Sequence, residues 1–150
     1  MGRGKGCPRA LRLFGEDLVE WLLADPGGWN ILPLAYATWI AGGCWILARA
    51  LHEWIGDGSL LWAIYDRGRM QHVLVRVGDC YLDGEGAATR TELLRRWREQ
   101  EHLEIPVLRR FTVEDVGEIE CPAAPVRELR AELERVFGPG EQVLEWARGE

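Results

Sequence analysis

Two residues, Gly78 and Asp79, separate the run Gln71-His72-Val73-Leu74-Val75-Arg76-Val77 from Cys80-Tyr81-Leu82-Asp83. They constrain the fold more than any other pair in the chain. A two-residue loop between β-rich runs predicts a tight hairpin. The register follows by counting outward from the turn. Val77 then faces Cys80, Leu74 faces Asp83 and His72 faces Glu85. Strand side chains alternate between faces, so residues 72, 74 and 76 share a face with 81, 83 and 85. His72 is thereby expected between two carboxylates, Asp83 on the diagonal and Glu85 directly opposite. Gly84 and Gly86 end the strand near Glu85, which favours Asp83 as the partner.

Upstream, Cys44, Leu47, Ala48, Leu51, Trp54 and Ile55 recur at helical spacing, which predicts an amphipathic helix over Cys44–Ile55. Gly56-Asp57-Gly58 stops it. Glu16–Ala24 reads as an earlier helix with Leu18, Trp21 and Leu22 on one face, and residues 34–41 as a short second one. Residues 1–14 read as a flexible or loosely attached start. Leu60–Tyr65 is rich in strand formers, and Asp66–Arg69 reads as a turn. Thr89 and Glu92 have the spacing of a capping box, predicting a helix to about Glu101. Val107–Val113 is expected as a strand. Pro125 opens a last helix to Phe137, with Val126, Leu129 and Leu133 in its stripe. The order predicts one α+β domain over residues 1–150, with helices on a small antiparallel sheet.

Composition removes several function classes. The formal charge of −6 and pI near 5.2 argue against a nucleic-acid-binding surface, which needs net basic character. Among the 18 basic residues Lys5 is the only lysine, a bias that fits a bacterial or phage source. From Pro26 to Ala48 no residue is charged, but prolines and glycines interrupt the stretch, so a buried loop-and-helix layer is expected and no membrane span. The start lacks the apolar core of a secretory signal. The four cysteines, Cys7, Cys44, Cys80 and Cys121, follow no zinc or disulfide spacing. They read as thiols in a reducing, cytoplasmic setting.

The chemistry concentrates on Cys44. Thiolate is the reactive form of cysteine. A helix start favours negative charge, and Gly42-Gly43 before it leaves room for a substrate backbone. An imidazole must complete the activation. His52 is eight residues along the same helix, roughly 12 Å away. His102 ends a charged helix. His72 is the histidine on a strand that can pack beside Cys44. Candidate catalytic residues are therefore Cys44, His72 and Asp83, with Glu85 as the alternative carboxylate. The Cys44 N–H supplies part of an oxyanion hole, and Asn30, Trp39 and Gln71 are candidate side-chain donors. The same three residues could instead hold zinc with a water, although close ligand pairs along one element are missing. No metal or cofactor is expected.

A cysteine opening a helix, a His-led valine-rich strand and Tyr81-Leu82-Asp83 together resemble the papain-like superfamily. The transglutaminase-like and small cell-wall endopeptidase branches are the most similar. The resemblance spans residues 40–86. It implies a papain-like core and thiol-dependent hydrolysis or acyl transfer on a peptide or amide bond, with Cys44, His72 and Asp83 as nucleophile, base and orienting acid. The partner implied is a peptide or protein amide substrate. The alternative is an inactive papain-like interaction module, such as a phage or toxin-associated accessory protein.

Overall fold

The computed structural model describes residues 6–24, 44–111 and 123–149. Helix α1 (Arg9–Leu23) leads to α2 (Cys44–Ile55). Strands β1 (Leu60–Asp66), β2 (Arg69–Val77), β3 (Cys80–Asp83) and β4 (Gly86–Thr89) follow as a meander. Then come α3 (Arg90–Gln100), β5 (Pro106–Arg110), α4 (Ala123–Phe137) and α5 (Gln142–Ala147). The helix expected over 34–41, the Pro26–Gly43 part of the uncharged stretch, the last residues of the strand expected to reach Val113, and Cys121 lie outside the described residues. Among the described residues no helix is long and apolar enough to cross a membrane.

The sheet is antiparallel, in the order β4-β3-β2-β1-β5. The turns set its register. Arg67 and Gly68 both have positive φ, 54° and 81°, which suits a two-residue turn between β1 and β2. Gly78, at φ 59°, opens the β2–β3 turn where glycine carries no Cβ penalty. The expected pairs appear: Val77 with Cys80, Arg76 with Tyr81 and Val75 with Leu82.

Alternation gives the sheet two different faces. Ala63, Val73, Val75, Val77 and Leu82 join the buried faces of α1, α2 and α4 in one cluster. Ile64, Leu74, Tyr81 and Ala88 pack with Leu93 and Trp97 of α3 in another. The α2 stripe is the one its periodicity predicts, with Leu47, Leu51, Trp54 and Ile55 all buried. Burying each such side chain contributes about 2 kcal/mol, which outweighs the modest helix propensities involved. Thr89 and Glu92 form the reciprocal capping box that starts α3.

Two expectations need correction. Within residues 6–14 the chain is not a loosely attached start: α1 begins at Arg9, with Leu11 and Phe14 buried. The stripe Leu11, Phe14, Leu18 and Leu22 is the physical cause. At Gly15 an added Cβ would meet the Ala87 backbone nitrogen at 2.6 Å, so α1 lies directly on β4. Residues 86–89, Gly-Ala-Ala-Thr, are weak strand formers and become β4 through pairing with β3. Finally, Cys7 and Cys80 are not thiols. They form a disulfide with Cα atoms 5.8 Å apart, across 73 positions of sequence. Docking α1 on the sheet brings them together, and no local spacing announces it.

Candidate active site

Cys44, His72 and Asp83 converge. Each is nearly inaccessible, at 6%, 0% and 2% exposure. His72 Nε2 lies 2.9 Å from a carboxylate oxygen of Asp83. Of the two carboxylates, Asp83 is the one in contact with His72, and Glu85 pairs with Arg96 at 2.7 Å. The other Asp83 oxygen accepts the Glu85 backbone N–H at 2.8 Å, so a turn around Gly84 fixes the acid in place.

The thiol arrives by a route that the hairpin count alone does not show. The His72 ring lies on the α3 side of the sheet, against Trp97, whereas α2 covers the opposite side. Hydrogen-bonded pairs alternate along an antiparallel ladder, which directs the N–H groups of Val77, Val75 and Val73 toward β3. β3 ends at Asp83, opposite Leu74. The Val73 N–H, one step beyond, meets Cys44 Sγ at 3.5 Å instead. The thiol thus sits in the gap left by the end of β3, next to the backbone of the residue after His72. Nε2 is occupied by Asp83, which leaves Nδ1 for the thiol. Nδ1 is buried and makes no hydrogen bond, and the nearby Cys44 contributes with Asp83 to raising the pKa of the ring.

The electrostatics favour a charged ring. Burial opposes the imidazolium, but the Asp83 hydrogen bond, the Cys44 contact and the charges of both outweigh it, and the His72 pKa is pushed up to about 9. Burial likewise works against an ionised Asp83. Its hydrogen bond to His72 and the positive charges of His72 and Arg96 hold it below the usual value. Trp97 stacks on the His72 ring at 4.6 Å between centroids and 27° between planes, and an aromatic face attracts a cation.

The remaining candidates are elsewhere. His52 Nδ1 is 2.7 Å from Ser59 Oγ, which donates to the Gly56 carbonyl. This pair ties the end of α2 to β1, and Ser59 is fully buried. The Gln71 amide donates to the Arg69 carbonyl. Asn30, Trp39, Gly42 and Gly43 lie outside the described residues. Among the described residues, no group of three His, Cys, Asp or Glu side chains is arranged to hold a metal. Arg96 and Trp97 were not singled out from the sequence, because charged residues dominate their helix. The i, i+4 apolar pair Leu93 and Trp97 was the available signal that one side of α3 is buried.

No protein-family model matches this chain, and neither the curated proteins nor the solved structures contain a match to it.

Proposed function

We propose that this protein is a thiol-dependent hydrolase or acyltransferase with a papain-like arrangement, acting on a peptide or amide bond. The observation that carries the reading is the buried His72–Asp83 pair with the Cys44 thiol on the backbone N–H of the residue next to His72. Cys44 attacks the carbonyl carbon as thiolate. His72 holds the thiol proton and then delivers it to the leaving amine. Asp83 orients the ring and stabilises its charge. In hydrolysis, water adds to the acyl-enzyme as His72 takes its proton, and the thiolate leaves. In transfer, an amine takes the place of water. The Cys44 backbone N–H contributes to oxyanion stabilisation.

The disulfide bears on where this chemistry operates. A Cys7–Cys80 bridge suits an oxidising compartment better than a cytoplasmic one, and burial shields the Cys44 thiol there.

The test is a slim electrophilic probe, such as a chloroacetamide, followed by intact-mass and peptide mapping. Under non-reducing conditions Cys44 is expected to be labelled fastest, at a rate resolved from that of Cys121 by peptide mapping, and metal chelators should not alter that rate. Stoichiometric zinc in the purified protein, lost in Cys44→Ala, with Cys44 labelling that speeds up on chelation, would support the metal alternative. An unlabelled, correctly folded protein would support the interaction-module alternative.

A further inference from the structure

We propose that Arg96 is a positioning residue of this site: its guanidinium spans the Gly84 turn and fixes the carboxylate edge that receives His72. The inference rests on the thiol chemistry proposed above. Arg96 donates to the same Asp83 oxygen that meets His72, at 3.2 Å, and lies 2.7 Å from Glu85 through Nε. Asp83 is thus held on one oxygen by the Glu85 N–H and on the other by His72 and Arg96. Without Arg96 the carboxylate can turn away from Nε2, and it loses its cationic neighbour on the α3 side.

The fold makes this clamp local. β3, its turn, β4 and α3 are consecutive. The capping box at Thr89 fixes where α3 starts. Arg96 lies one helical turn after Glu92 and so folds back on Asp83 of its own segment. Trp97, next in sequence, faces His72. Adjacent residues of one helix thereby hold the acid and the base.

The titratable and charged groups around the His72–Asp83 pair come from the neighbouring elements: Arg96 from α3 and Glu85 from the turn act on Asp83, Cys44 from α2 acts on His72, and Glu101 from beyond α3 acts on Glu85. A cation within about 4–6 Å lowers a carboxylate pKa by about 1–3 units. Removing Arg96 therefore lets Asp83 protonate at higher pH. The His72 charge, and with it the proposed activation of Cys44, then loses its support earlier as the pH falls.

The experiment is the pH profile of Cys44 alkylation by iodoacetamide, resolved by site in mass spectrometry, for the full-length protein and three variants. Arg96→Gln should move the acid limb up by about one pH unit, slowing alkylation there about ten-fold, while leaving the rate above the limb near that of the parent. Arg96→Lys should restore most of the difference. Glu85→Gln should move the limb the other way, because it frees Arg96 for Asp83. An Arg96→Gln profile that overlays the parent, or that falls equally at all pH, overturns the proposal. If Arg96→Gln does not fold, an unmoved limb in Glu85→Gln overturns it and a downward shift supports it. A parent Cys44 no faster than a small free thiol would instead overturn the thiol chemistry itself.

Discussion

Replacing His72 with alanine is expected to abolish the special reactivity of Cys44. A thiol of ordinary pKa is only a few per cent ionised at neutral pH. Under the proposed thiol chemistry, losing the imidazolium should therefore slow alkylation of Cys44 at pH 7. Turnover should fall further, by about 10²–10⁴-fold, because the leaving amine also loses its proton donor. His72 is fully buried and stacked on Trp97, so the alanine variant also creates a cavity. His72→Gln keeps most of the volume and should show the same kinetic loss with a milder effect on stability. Cys44→Ala should remove the fast labelling phase, leaving only what Cys121 contributes. Asp83→Asn should fall between these and the parent, because it keeps the shape but not the charge. The measurement is the second-order rate of probe addition, with circular dichroism on each variant. Parent-like labelling in His72→Gln would separate the two residues chemically.

Reduction of the Cys7–Cys80 bridge is expected to cost about 2–5 kcal/mol of folding stability. The bridge closes 73 positions of sequence, and a cross-link over a long loop removes much of the freedom of the unfolded chain. Both sulfurs belong to the main core cluster, and the link pins the start of α1 beside the β2–β3 turn. The effect should appear as a large drop in Tm when unfolding is followed with and without reductant. Cys7→Ser and Cys80→Ala should reproduce it singly and should not add when combined. Because Asp83 closes the same strand that Cys80 opens, probe labelling of Cys44 should also become more heterogeneous on reduction. An unchanged Tm would show that packing alone holds α1.

The residues that were legible in sequence were those whose partners lie nearby along the chain. Gly78-Asp79 determined the hairpin, and with it the pairing of His72 with Asp83. The stripe from Cys44 to Ile55 defined α2, and Thr89 with Glu92 defined the start of α3. What was illegible depended on distant segments meeting. Parity placed Cys80 away from His72 but could not point to Cys7. β4 has little strand preference and forms because β3 offers it an edge. The acid–base contact was visible in the hairpin. The thiol contact was not, because it depends on β3 stopping at Asp83 and α2 filling that gap. Arg96 and Trp97 were hidden in a run of charges, where only the Leu93–Trp97 spacing marked a buried side.

The most direct measurement is an NMR titration of the His72 ring in the parent protein and in Cys44→Ala. A histidine whose pKa rises on folding stabilises the fold below its unfolded value, near 6.5, and this contribution is lost as pH rises through about 9. The account predicts that His72 stays protonated through neutral pH, titrates near 9, and titrates at lower pH once Cys44 is replaced. Stability should fall over the same window, from 6.5 to about 9, and fall less in the variant. A His72 that titrates near 6.5 in both proteins would contradict the Cys44–His72 pair.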